Sequence, residues 1–175
     1  VTQPTVTSVD PSVGPTAGGE VVTITGTNLT GATAVTFGGV PGTIISVFSD
    51  TIIMVEAPPV SMTGTVDVTV TTPGGTSATS PADQFTYLGV PTVISLSPSS
   101  GPSSGGTLVT ITGNNFIDLG SQPVLFGSSA ATSFTLISPT EITAISPTGS
   151  PGTTVDVTVT TPGGTSSSSF HDFFR

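Results

Sequence analysis

The chain has no cysteine, no tryptophan and no lysine, and its one arginine and one histidine, Arg175 and His171, fall in the last five residues. Each absence closes a route. Without cysteine, no disulfide closes the fold and no thiolate serves as nucleophile or metal ligand. Without lysine, Schiff-base chemistry and Lys–Asn or Lys–Asp isopeptide cross-links are excluded. Ten acids against one base give a formal net charge of -9 and a pI near 4.1. That is the reverse of what a phosphate backbone or an anionic lipid surface requires, so nucleic acid is not expected as a partner. Mean hydropathy is +0.38, yet no apolar run approaches the roughly 18 residues of a membrane-spanning helix, and no membrane insertion is expected. The chain opens at Val1 with neither methionine nor a signal-like stretch, and reads as a mature product or an excised piece of something larger.

What is present is threonine, serine, 22 glycines and 16 prolines, set between short β-branched clusters. Examples are Val21-Val22-Thr23-Ile24 and Ile52-Ile53-Met54-Val55. The clusters recur in order. The twelve residues 66–77 (VDVTVTTPGGTS) return unchanged as residues 155–166, an offset of 155 − 66 = 89. Upstream, Val22-Thr23-Ile24-Thr25-Gly26 returns as Val109-Thr110-Ile111-Thr112-Gly113 at an offset of 109 − 22 = 87, which places a two-residue insertion around 117–122. A period this long is a whole domain, not a solenoid turn. Two domains follow, 1–88 and 89–175.

Strands are expected in the first copy near 5–9, 20–26, 34–37, 43–48, 51–57, 64–72 and 76–87, the last interrupted at Pro81. Alternation turns Val22, Ile24, Val35, Phe37, Ile53, Val55, Val66, Val68 and Val70 inward. In the second copy Val109, Ile111, Val124, Phe126, Ile142, Val155, Val157 and Val159 repeat the scheme. Phe85 and Phe173 are also placed on strand interiors, while Phe48, Phe116 and Phe134 are candidates for exposure. About seven short strands per copy with Gly/Pro turns describe an all-β fold of two tandem immunoglobulin-like β-sandwiches.

Several residues carry a family resemblance. They are Pro4-Thr5-Val6, Asp10-Pro11, Gly14-Pro15, Gly18-Gly19, Phe37-Gly38-Gly39, Ala57-Pro58, Thr72-Pro73-Gly74-Gly75 and Phe85-Thr86-Tyr87. Pro98, Gly101-Pro102, Gly105-Gly106, Phe126-Gly127, Pro147 and Pro162-Gly163-Gly164 hold the same places in the second copy. In combination they resemble the IPT/TIG domains, immunoglobulin-like modules of plexins, Rel-type transcription factors and many bacterial surface proteins. The resemblance implies an extracellular or cell-surface role, and the missing lysine and arginine speak against the DNA-binding branch. At the end of the second copy, Phe170-His171-Asp172-Phe173-Phe174-Arg175 replaces the Phe-Thr-Tyr ending. Gly18-Gly19 and Gly74-Gly75 are expected where corners need positive φ, and Pro15 and Pro73 fix φ just before them.

No catalytic, cofactor-binding or metal-binding residue is assigned. His171 beside Asp172 is the one acid–base pair, and a chain terminus lacks the pocket and rigid shell a catalytic base needs. Asp67 and Asp156 lie mid-strand between inward valines and read as outward charges; a lone carboxylate falls short of the six to eight oxygens calcium takes. Asn114, Asn115 and Asp118 group three oxygen side chains in the loop 114–118, which also suits an ordinary turn. Asn28-Leu29-Thr30 is an N-glycosylation sequon. With no tryptophan and one tyrosine, Tyr87, sugar stacking is the weaker option. The reading is a non-catalytic extracellular stalk or adhesion segment without cofactor, engaging a protein partner or itself. The alternatives are a self-assembling filament or surface-layer subunit, pairing through an edge such as residues 5–9, and an accessory ligand-binding module of a secreted enzyme.

Overall fold

The computed structural model describes residues 1–169 and 171–175. It divides into two compact units, Val1–Leu88 and Gly89–Arg175, each with its own core. The first unit contains β1 (Thr5–Asp10), β2 (Val13–Pro15), β3 (Val21–Thr27), β4 (Ala34–Phe37), β5 (Val40–Pro41), β6 (Thr43–Ser49), β7 (Ile52–Glu56), β8 (Gly64–Thr72), β9 (Gly75–Thr76), a 3₁₀ turn (Pro81–Asp83) and β10 (Gln84–Leu88). One sheet runs β1-β3-β7-β6 and the other β2-β10-β8-β4-β5, with β9 on β8. Every pairing is antiparallel except β2 with β10.

The second unit repeats the plan with β11 (Thr92–Ser97), β12 (Leu108–Asn114), β13 (Val124–Phe126), β14 (Ser129–Ala130), β15 (Ser133–Ser138), β16 (Glu141–Ile145), β17 (Val155–Thr161), β18 (Gly164–Thr165) and β19 (Phe173–Phe174). Its sheets run β11-β12-β16-β15 and β14-β13-β17-β18, with β19 pairing with β17.

The alternation of valine and threonine builds each core. Val22, Ile24, Val35, Phe37, Ile53, Val55, Val68 and Val70 are buried, as are Val109, Ile111, Val124, Phe126, Ile142, Val157 and Val159. Val66 and Val155, one step nearer the strand ends, are half-buried and pack on the core rims. Threonines on the opposite faces pair across strands by hydroxyl–hydroxyl contacts: Thr36 with Thr69 at 2.8 Å, Thr65 with Thr86 at 2.8 Å, Thr160 with Thr165 at 2.8 Å. In a chain with 6% charged residues, these pairs take the place that ion pairs hold on other sheets.

The repeated Thr-Ser that closes the twelve-residue block has a buried task. Ser77 Oγ accepts the Val70 N–H (3.0 Å) and Ser166 Oγ the Val159 N–H (2.9 Å), while the serine N–H groups donate to the same valines' carbonyls.

The last stretch differs from the expected strand 76–87. Ser80 caps a 3₁₀ turn: its hydroxyl accepts the Ala82 N–H (3.2 Å), and the Asp83 carboxylate accepts the Ser80 N–H (3.0 Å). Pro81 sits in the first turn, where its missing N–H costs nothing. The short strand β2 was also not anticipated. Gly18, Gly19 and Gly75 take positive φ, but Gly74 does not. Gly74 is needed for space, because a Cβ there would run into the Thr2 backbone.

Two aromatic placements are corrected. Phe174 is the buried residue of β19 and Phe173 is 40% exposed. Pairing explains this: Val155 faces Phe174 as Val66 faces Phe85, an offset of 89 on both strands. Phe116 is fully buried, not exposed, and occupies the position of the equally buried Leu29. Phe48 is exposed, and Phe134 packs partly against the core. Phe170 lies outside the described residues.

Candidate functional site

Among the described residues no arrangement of side chains converges on a reacting centre. His171 is exposed and borders a shallow groove of about 360 Å³ with Thr92, Ser167 and Ser169. Its neighbour Asp172 is fully buried, and both carboxylate oxygens accept the Ser169 N–H at 3.0 Å. Asp172 thus repeats the capping role of Asp83, and its oxygens are engaged by the backbone.

Each buried carboxyl faces a second one on the neighbouring strand. Burial pushes Asp83 above its ordinary value, the Ser80 N–H pulls it back, and Asp67 opposite raises it further. Burial does the same to Asp172, with the Ser169 N–H and His171 opposing and Asp156 adding. One Asp83 oxygen, Oδ1, is buried without a hydrogen-bond partner. The balance is upward in both, so each carboxyl holds its proton more readily in the folded chain than in the unfolded one. Asp67 and Asp156 are half-buried rather than fully outward, and Asp156 accepts the Ser168 hydroxyl (2.9 Å).

The loop 114–118 uses its polar groups locally. Asn115 adopts φ +60° and its amide donates to the Val90 carbonyl (3.0 Å), while Asn114 reaches Thr92 (3.5 Å). Asn28 does the same in the first unit, with φ +56° and a 3.2 Å bond to the Gln3 carbonyl. Each asparagine therefore clasps the entering chain to the end of β3 or β12. Among the described residues no cluster of three or more His, Cys, Asp or Glu is placed to hold a metal ion. Within the sequon, Asn28 is half-buried, Leu29 is in the core, and the Thr30 N–H donates to Asp50 (3.3 Å). Among the described residues no helix is long and apolar enough to cross a membrane.

The most elaborate arrangement of backbone and aromatic contacts lies where β2 meets β10. Thr86 pairs with Val13, Tyr87 with Gly14 and Leu88 with Pro15, all in parallel. The Thr86 N–H donates to Ser12 (2.8 Å) and the Thr16 N–H to Leu88 (3.2 Å). Tyr87 is 1% exposed, its hydroxyl donates to the Pro58 carbonyl (2.9 Å), and burial pushes its pKa up to about 12. Its ring meets Phe85 and Phe37 edge-on at 5.0 and 6.5 Å. Gly14 is required beneath this cluster, since a Cβ would press on the Phe85 ring. Sequence reasoning missed this pairing because three residues, Val-Gly-Pro, carry no alternation.

The outer strands are guarded. β1, β6, β11 and β15 each carry a bulge, and the far edges of the other sheets are strands of two or three residues. Both devices discourage edge-to-edge pairing.

The sequence matches the IPT/TIG domain twice, over residues 4–87 and 91–173. The chain belongs to the IPT/TIG family. It is 35% identical to mouse Plexin-B2 over 128 residues, which is 68% of this chain and 7% of that protein. Two structures of the Plexin A4 extracellular region are similar at 27% identity across 98% of this chain, with TM-scores of 0.59 and 0.61. The chain covers 18% and 15% of those chains, so it spans a small part of the plexins it resembles.

Proposed function

We propose that this chain is a non-catalytic extracellular segment whose two modules bear tension as part of a stalk or adhesion region, presenting surface to protein partners. The observation that carries the proposal is the parallel pairing of β2 with β10. Chain enters the first module ahead of β2 and leaves it after β10; in the second, the Arg175 N–H and carbonyl bond Ser99 and Gly101 in the same parallel sense. In a parallel pair those two ends lie at opposite poles, so tension shears the strands along their length and loads their hydrogen bonds together. An antiparallel pair pulled at adjacent ends would open one bond at a time. The similarity to plexin extracellular regions supports the same reading.

Single-molecule pulling tests it. Two separate unfolding events are expected, each releasing roughly 300 Å of chain for a module of 87 or 88 residues at about 3.5 Å per residue. Smooth extension without force peaks would rule out a load-bearing role.

A further inference from the structure

The sheet β1-β3-β7-β6 of the first module ends on two unlike edges. On β1 the bulged residue is Thr7, and its hydroxyl turns back to donate to the Thr25 carbonyl (3.1 Å). On β6 the register slips twice, which leaves Ile45 and Phe48 as the extra residues. A bulge re-aims the side chain it inserts. Here both inserted side chains are apolar and face water, Ile45 50% and Phe48 65% exposed, with Val47 between them and Ile52 on β7 exposed as well. An edge that had only to refuse another strand would carry charge at such points. The second module repeats the device: Ile137, 89 residues beyond Phe48, is the bulged residue of β15 and is 56% exposed beside the exposed Leu136.

Charge frames the strip. Glu56 lies opposite Thr43 at the start of β6, and Asp50 follows Ser49 at its end; both acids are exposed. Residues 1–88 contain no lysine, arginine or histidine to offset them. The strand from Thr43 to Ser49 spans roughly 20 Å at about 3.3 Å per residue. A second copy fits this strip badly. Each copy carries a formal net charge of -9, and two β6 edges meeting in either direction set acid against acid.

We propose that the β6 edge of the first module is a docking strip for a basic protein partner, whose apolar contact is flanked by two lysine or arginine side chains about 20 Å apart. The proposal rests on the reading of this chain as a segment that presents surface to protein partners, and it names the surface and the kind of partner. Ile45, Val47 and Phe48 supply apolar contact, Asp50 and Glu56 orient the partner, and the bulges keep it from adding as a further strand. β15 is the weaker counterpart, because Pro139 stands in the place of Asp50 and Ile145 in that of Glu56, with Glu141 opposite Ser138.

The blocked peptide acetyl-Arg-Ser-Leu-Ser-Leu-Ser-Arg-amide tests this, since an extended chain sets its arginines at that spacing and its leucines on the same face. Titrated into the full chain, it is expected to shift the amide NMR signals of residues 43–52 more than those of 133–141, and to leave those of β1 in place. Replacing its arginines by glutamate or its leucines by serine should weaken binding about fivefold or more. Phe48→Ser in the chain should do the same, at an exposed position whose change spares the core. Absence of shifts along β6, equal binding of the glutamate peptide, or equal binding by the Phe48→Ser chain would overturn the proposal. So would concentration-dependent shifts along β6 without peptide, which would assign the strip to a second copy. Force peaks on pulling without any peptide shifts would remove the docking strip and leave the load-bearing reading standing; peptide shifts with smooth extension would do the reverse.

Discussion

In the first module three rings, Phe37, Phe85 and Tyr87, close one pole of the core; in the second, among the described residues, Phe126 and Phe174 meet edge-on at the matching pole. The second module places an additional ring elsewhere, setting Phe116 where the first has Leu29, with both fully buried. The end of β12 therefore packs a larger apolar side chain than the end of β3. The same backbone plan tolerates this because the strands and their register, not any one side chain, define the space to be filled. Parts that cannot be traded are those where backbone touches backbone.

Gly26 and Gly113 are such parts. A Cβ at either would overlap the carbonyl of Thr5 or Thr92 on the adjoining strand. Gly26→Ala or Gly113→Ala must push β1 or β11 off its partner, and a loss above about 4 kcal/mol is expected. Each change should abolish the dispersed amide signals of its own module and leave the other's intact. Loss of both sets from either variant would show that the modules do not fold separately.

Phe37→Ala and Phe126→Ala probe the aromatic imbalance directly. Truncating a buried phenylalanine costs about 3–5 kcal/mol. Phe37 touches two rings and, among the described residues, Phe126 touches one, so the first variant should sit at the upper end of that range and the second at the lower. Urea titration of each module gives the two values, and a reversed order would mean that ring contacts do not set the difference.

Most of this frame was legible from residue types alone. The valine-threonine alternation over 66–72 and 155–161 fixes which face is buried, because strand side chains alternate strictly. The ends were harder. Ser80-Pro81-Ala82-Asp83 is a capping signal, serine followed three residues later by an acid, yet it sits inside a stretch whose β-branched neighbours suggest continuous strand. Carrying the offset of 89 through to the terminus would have aligned Phe85 with Phe174 and Asp83 with Asp172. The Phe-Phe doublet hid that register. The pairing of β2 with β10 had no local signal, since it depends on chain segments about 73 residues apart.

Tyr87→Phe should have a smaller effect, about 1–3 kcal/mol, by leaving the Pro58 carbonyl buried without its donor. Pulling experiments on this variant should lower the first module's unfolding force and leave the second module's unchanged. An equal drop in both would show that the hydroxyl does not act through the β2–β10 pair.

The smallest effect is in pH dependence, and there too the modules differ. Asp83 and Asp172 are both raised above the ordinary carboxyl value, by burial first. A group whose folded pKa exceeds its unfolded one binds more protons when folded. Its stabilisation is complete below the unfolded value near 3.8 and is lost as pH rises through the folded value. Both modules should accordingly gain stability from these groups as pH falls from 7 toward about 4. The first module carries an opposing group. Asp50 is lowered by its hydrogen bonds to Thr30, so its contribution is present above the ordinary value and lost as pH falls through its folded one. Asp50 is exposed to solvent, which screens that contribution. The second module has Pro139 in the same place, accepting the Phe116 N–H at 3.0 Å as Asp50 accepts the Leu29 N–H at 2.9 Å. Between pH 7 and about 4 the two modules should then gain alike, and below about pH 4 the first alone should also lose the Asp50 contribution. Thermal melts between about pH 2.5 and 7 test this, with Asp83→Asn and Asp172→Asn as controls. Each amide retains an oxygen for the serine N–H and offers an N–H₂ toward Asp67 or Asp156, so the pH slope should flatten without loss of fold. An unchanged slope in both variants would mean that these carboxyls are ionised inside the folded modules.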